Sequence, residues 1–231
     1  MSVPESPPTS GERSRRFHDL GLRAASAAVL VPVALGALAW GGLVWAVLLV
    51  LLFAGLMWEW AGLSRHIVSA ARPRFLLAGV VYAAVPGAAL AWLRDRPGGL
   101  IDVLFLLVVV WMTDIGAYAV GRLAGGPKLA PAISPGKTVS GAVGGLVIGV
   151  VAGLLVARSP AAILPGAIIS IVSQAGDLAE SALKRRLGVK DSGRTIPGHG
   201  GLFDRLDGVL AAAPVAAVLA LLAQGGVPLW R

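Results

Sequence analysis

Apolar runs of about 17–20 residues recur along this chain, and at ~1.5 Å per helical residue each matches the ~30 Å hydrocarbon core of a bilayer. No other feature constrains the fold as strongly. The spans are expected from about Ala24 to Trp40, Leu43 to Trp58, Phe75 to Trp92, Leu100 to Val120, Val139 to Ala157, about Ala161 to Gly176, and Gly208 to about Leu222. With 56% hydrophobic and 14% charged residues and a mean hydropathy of +0.80, a soluble domain is excluded. The expectation is an all-α integral membrane protein of about seven transmembrane helices, with a polar active site at the cytosolic face. Three regions follow: a disordered cytosolic tail over 1–23 that is not a cleavable signal, helices 1–3 over 24–99, and a second transmembrane region over 100–231 with cytosolic loops at 121–138 and 177–207. Cysteine is absent, which excludes disulfides and thiol chemistry.

Seven spans put alternate loops on opposite sides, so the basic residues give the orientation. Arg13, Arg15, Arg16, Arg23, Arg65, Arg72, Arg74, Arg122, Lys128, Lys137, Lys184, Arg185, Arg186, Lys190, Arg194 and Arg205 fall on one side. Only Arg94, Arg96, Arg158 and Arg231 fall on the other. The N-terminus is therefore expected in the cytosol and the C-terminus outside, in the cytoplasmic (inner) membrane of the cell. Trp40, Trp45, Trp58, Trp60, Trp92 and Trp230 lie near span ends, where an indole prefers the interface; Trp111 does not. Gly141, Gly145, Gly149 and Gly153 form a small-residue stripe that admits a close helix neighbour, from the same chain or from a second copy in a homodimer.

The acids are few enough to place one by one. Glu59 ends the second span, Asp95 and Asp102 lie near the outer face, and Asp114, Asp177, Glu180, Asp191, Asp204 and Asp207 gather at or near the cytosolic face. Asp114, about 9 Å inside its span at helical rise, should face a polar cavity or a cation, with Tyr118 one turn away. Asp177, Ser181 and Lys184 share a helical face, and Asp204 and Asp207 share another if the last helix begins before them. Converging carboxylates suit Mg²⁺, and Lys184, Arg185, Lys190, Arg194 and Arg205 suit phosphate oxygens. Between these acids, Pro197-Gly198-His199-Gly200-Gly201 is a turn able to aim N–H groups at an anion. The loop GRLAGGPKLAPAISPGKT, 121–138, brings Lys128, Lys137 and Thr138 to the fifth span but lacks P-loop spacing.

Taken together these residues resemble the phosphatidate cytidylyltransferase (CDP-diglyceride synthase) family. Its pattern S-x-x-K-R-x4-K-D-x-G-x3-P-G-H-G-G-x2-D-R-x-D is met from Ser181 to Asp207, G-D-x-x-E-S at Gly176, Asp177, Glu180 and Ser181, and D-x-x-A-Y…S-P-x-K-T at Asp114, Ala117, Tyr118, Ser134, Pro135, Lys137 and Thr138. One position departs: Ser140 stands where the family usually has glutamate. The resemblance implies transfer of CMP from CTP to phosphatidic acid, giving CDP-diacylglycerol and pyrophosphate for phospholipid biosynthesis. It implies catalytic roles for Asp177, Lys184, Asp204, Arg205 and Asp207, with Mg²⁺ or Mn²⁺ on Asp177, Asp204 and Asp207 and a second cation left open. Asp114, Tyr118, Lys137, Ser181, Arg185, Lys190, Asp191, His199, Gly200 and Gly201 are the implied substrate contacts. No nucleic acid is expected. A CDP-alcohol phosphotransferase is rejected because Asp207-Gly208 is followed by Val209-Leu210-Ala211-Ala212 without the later acids it requires. A transporter would carry its charges near the midplane and show repeat symmetry, which this chain does not.

Overall fold

The structure, a computed structural model, describes residues 28–193, 195 and 200–223. The N-terminal tail, the start of the first span, Arg194, Pro197, Gly198, His199, Trp230 and Arg231 lie outside the described residues. The helices are α1 (Ala28–Trp40), α2 (Gly42–Leu63), α3 (Arg72–Asp95), α4 (Gly99–Ala124), α5 (Val139–Ala157), α6 (Ile163–Arg186) and α7 (Phe203–Leu222). Six of them, α2 to α7, are long and apolar enough to cross a membrane, and α1 is a shorter apolar helix in its described part. This is an all-α integral membrane protein.

The chain turns from α1 into α2 at Gly41, whose φ of 72° favours glycine. A Cβ there would lie 2.5 Å from Arg94 Nη2. That guanidinium donates to the carbonyls of Leu38 (2.7 Å) and Ala39 (3.3 Å), closing the end of α1 as a cation should.

α4 runs through the core. Its Val103, Phe105, Leu106, Val109 and Val110 pack with Ala212, Ala213 and Ala216 of α7 and Ile169 of α6. Thr113 Oγ1 donates to Ser170 Oγ at 2.8 Å, a buried link between α4 and α6. The glycine stripe of α5 faces α4. A Cβ at Gly141, Gly145 or Gly149 would come within 2.7 Å of Ala117 O, 2.6 Å of Thr113 O or 2.2 Å of Thr113 Oγ1. The stripe thus serves an intrachain contact, and a homodimer gains no support from it.

Two tryptophans expected at the interface point inward instead. Trp45 donates to Leu90 O (3.3 Å) and Trp60 to Phe75 O (2.7 Å), so each buried indole finds its acceptor inside the bundle. Trp60 stacks on Phe75 and Tyr82 and meets Phe203 edge-on. Trp40, Trp58 and Trp92 are exposed.

Hydropathy marked where the apolar core ends, not where the helices end. α6 continues past Gly176 to Arg186 through DLAESALKRR, rich in good helix formers, and α7 begins at Phe203 rather than Gly208. Much of the expected loop 177–207 is therefore helix. The other expected loop contains the antiparallel strands β1 (Lys128–Ala130) and β2 (Ser134–Thr138), paired Lys128 to Thr138 and Ala130 to Ser134.

Candidate active site

The C-terminal end of α6, the N-terminal end of α7, the hairpin and the C-terminal end of α2 meet at one end of the bundle. On α6, residues 177, 180, 181 and 184 fall on one face at i, i+3, i+4 and i+7. Helical continuation through Arg186 is what aligns them: Ser181 Oγ lies 3.4 Å from Asp177 Oδ1, and the Lys184 ammonium is 3.2 Å from Glu180 Oε1.

Asp177, Glu180 and Asp207 each offer one carboxylate oxygen, and the three atoms lie within 4.8 Å of one another. Glu180 and Asp207 are buried. Glu180 Oε1 has the Lys184 ammonium as its partner at 3.2 Å. From β2, Lys137 reaches Asp177 Oδ2 at 2.5 Å. Hard cations take oxygen ligands at ~2.0–2.6 Å, so three carboxylate oxygens this close suit one divalent ion. The donor set therefore fits.

Asp204, which the sequence grouped with Asp177 and Asp207 as a metal ligand, stands outside this cluster. Its Oδ1 holds the Lys184 ammonium at 2.5 Å, and its Oδ2 accepts from Ser192 N (3.0 Å), Ser192 Oγ (2.9 Å) and Gly201 N (2.9 Å). It lies at the start of α7, where backbone N–H groups lack helical partners, and those donors saturate it. Glu180, which the sequence reading did not name as a metal ligand, is the third carboxylate of the cluster. Its signal was available: with Asp177 three residues before and Lys184 four after, it lies on the same helical face.

The other expected site residues divide. Lys184 is committed to Glu180 and Asp204, with the ammonium bridging α6 to α7. Arg185 is exposed, and its Nε donates to Ile133 O at 3.3 Å, tying α6 to the hairpin. Arg205, Lys190 and Asp191 are exposed. Gly200 takes a φ of 84°, as a glycine turn requires, while Gly201 is buried with its N–H on Asp204. Asp114 is exposed on α4 and lies close enough to sense the charges of Asp207, Asp177, Lys137 and Arg205. Tyr118 is exposed and accepts from Arg122 Nη1 at 3.3 Å, so its hydroxyl faces its own helix. Ser140 donates to Gly125 O and lies 3.1 Å from Thr138 Oγ1, which itself caps α5 by accepting from Gly141 N at 3.1 Å. At this position the side chain joins the two ends of the hairpin segment.

Glu59 was read only as the end of a span. In the structure it is 3% exposed and faces the loop before α7. Its Oε1 accepts from Leu202 N (2.7 Å) and from Thr195 Oγ1, and its Oε2 from Phe203 N (2.9 Å) and lies 3.2 Å from Ser192 Oγ. A carboxylate inside an apolar helix was the available signal.

A polytopic helical membrane protein with a cluster of carboxylates and lysines at one end is the class that the fold and the site define. Residues 68–223 match a family model described as the cytidylyltransferase family, and the chain belongs to that family. It is 52% identical over 161 residues to a phosphatidate cytidylyltransferase of Brucella suis biovar 1 (strain 1330), covering 65% of this chain and 59% of that protein. It is 37% identical over 164 residues to one from Staphylococcus epidermidis (strain ATCC 35984), covering 68% and 62%. A phosphatidate cytidylyltransferase of Rickettsia bellii (strain RML369-C) is 31% identical over 216 residues, 88% of this chain and 91% of the relative. Against the Brucella suis relative, the matched segment spans 59% of that protein's length.

Proposed function

We propose that this protein is a CTP:phosphatidate cytidylyltransferase. The observation that carries the reading is the cluster of Asp177, Glu180 and Asp207 with Lys137 poised over it from the hairpin. Both substrates are polyanions, so the main demands on the protein are charge neutralisation and alignment. In the reaction, an oxygen of the lipid phosphate forms a bond to the α-phosphorus of CTP. The bond from that phosphorus to the bridging oxygen breaks, and pyrophosphate leaves with the electron pair. A phosphate monoester is already ionised at neutral pH, so no general base or covalent intermediate is required.

Asp177, Glu180 and Asp207 would hold a divalent cation, Mg²⁺ or Mn²⁺, which when bound would neutralise phosphate charge and orient the nucleotide. Among the described residues there is one such cluster, so the reading takes one resident ion. Lys137, paired with Asp177 yet partly exposed, is placed to exchange that partner for a phosphate oxygen. Lys184 acts on the carboxylates, holding Glu180 and Asp204 at fixed separation. Exposed Arg205, Arg185 and Lys190 supply positive charge around the site, and Asp114 lines its membrane side. The end bearing the site faces the cytosol, where CTP is, in keeping with the excess of Lys and Arg there.

The test is purified protein in detergent with CTP, phosphatidic acid and Mg²⁺, following pyrophosphate and CDP-lipid together. Equal amounts of both products, dependent on metal, are expected. Absence of both across varied metals and lipids would refute the reading.

A further inference from the structure

We infer that Glu59 of α2 is a positioning residue for the active site, fixing the start of α7 so that Asp204 and Asp207 meet α6. The inference rests on the proposed activity for its kinetic consequences and on geometry alone for its structural ones. Glu59 lies outside residues 68–223, in the part of the chain whose sequence carried the resemblance least.

Three donors converge on this one carboxylate, and the Ser192 hydroxyl lies between it and Asp204. The N–H groups of Leu202 and Phe203 open α7 and have no helical partner of their own, and Glu59 accepts both, at 2.7 and 2.9 Å. Thr195 Oγ1 and Ser192 Oγ bring in the loop that leads to the helix. A negative charge is favoured at a helix N-terminus, yet this one arrives from a residue more than 140 positions away. The loop is shaped around it. A Cβ at Gly193 would lie 2.9 Å from Glu59 Cδ, and one at Gly201 would lie 2.6 Å from Glu59 Oε2 and 2.1 Å from Ser192 Oγ. Part of the glycine content of the motif thus admits the protein's own carboxylate.

The link to chemistry runs through Ser192. Its hydroxyl lies 3.2 Å from Glu59 Oε2 and 2.9 Å from Asp204 Oδ2, while its N–H donates to Asp204 at 3.0 Å. Asp204 in turn holds Lys184, and Lys184 holds Glu180 of the cluster. Glu59 touches none of the three cluster carboxylates. It sets the helix end from which Asp207 projects one turn later. α2 is thereby part of the active-site framework.

The experiment compares wild type, Glu59→Gln, Glu59→Asp and Thr195→Val in detergent, by steady-state kinetics and by amide hydrogen exchange. Glutamine keeps the shape of Glu59 but turns N–H groups toward donors; aspartate keeps the acceptors on a shorter stem. Misplacing reacting groups by ~1 Å costs up to roughly 100-fold, so Glu59→Gln is expected to lower kcat by that order with KM for CTP nearly unchanged. Aspartate is expected to recover more of the rate than glutamine, the reverse of what packing alone would give. Thr195→Val, which removes one of three donors, is expected to give a few-fold loss in the same direction. The amides of residues 201–204 are expected to lose protection in Glu59→Gln while those of α5 keep it. Wild-type kcat with unchanged exchange at 201–204 would overturn the inference, as would glutamine outperforming aspartate. If the wild type makes no CDP-lipid the proposed activity fails, and the exchange data still decide the role of Glu59. Should Glu59→Gln not fold, Thr195→Val decides, with unchanged kcat and exchange counting against.

Discussion

Both ends of the helical bundle bury carboxylates, but they use them differently. At the end away from the hairpin, Asp102 is fully buried and pairs with Arg96 at 3.5 Å, and Arg94 closes α1. Asp102 there answers another charge and Arg94 a helix end, and the Arg96 guanidinium also rests on Trp92. At the hairpin end, Asp177, Glu180 and Asp207 crowd together with Lys137 and Lys184 at their margins, and Asp114 lies nearby. A fold gains nothing by packing acids against one another. The first arrangement is built for stability, and the second makes sense when a cation and phosphates complete it.

The largest expected effects come from exchanging one end's logic for the other's. Asp177→Asn and Asp207→Asn should each lower turnover roughly 1,000-fold, the equivalent of several kcal/mol of lost charge stabilisation, with thermal stability kept or raised because repulsion is relieved. Product formation and melting, measured on the same preparations, check both halves. Asp102→Asn should do the opposite: stability falls by ~3–5 kcal/mol, as expected when one partner of a buried ion pair is removed, and turnover of the surviving folded protein stays within two-fold, roughly the spread of unaffected variants. If Asp102→Asn also abolishes turnover in folded protein, the two ends are not separate in function.

Arg94→Met removes the closure of α1 and should cost ~1.5–3 kcal/mol, read as a lower melting point, without a change in metal dependence. Ser140→Glu should have the smallest effect. Ser140 spans from α5 to Gly125 rather than to the carboxylates, so restoring the family's usual residue is expected to leave kcat and KM for CTP within about two-fold while shifting stability by ~1 kcal/mol or less. A tenfold kinetic change would place that position in the site.

What could be read from the sequence was what depends on short range. The apolar runs located α2 to α7, and Val139–Ala157, which Thr138 caps and Arg158 ends, was located to the residue. The face of α6 carrying Asp177, Ser181 and Lys184 followed from helical spacing. The span bounds at Gly176 and Gly208 stopped short of the polar ends of α6 and α7 because hydropathy reports the bilayer and not the helix. Which acid joins which partner was also hidden. Asp204 and Glu180 differ in their surroundings because one meets the N–H groups of Ser192 and Gly201 and the other faces Asp207, a matter of packing between helices. Glu59 meets residues 133 to 144 positions away, a pairing no local pattern encodes. The glycine stripe was visible, but only the neighbouring Thr113 and Ala117 show that its partner is α4.

The most direct test of the account is Mn²⁺ binding followed by electron paramagnetic resonance on the purified protein in detergent. One saturable site is predicted in the wild type, lost in Asp177→Asn, Glu180→Gln and Asp207→Asn and retained in Asp204→Asn. Binding that survives in those three variants at wild-type affinity, or that is lost with Asp204 alone, would contradict it.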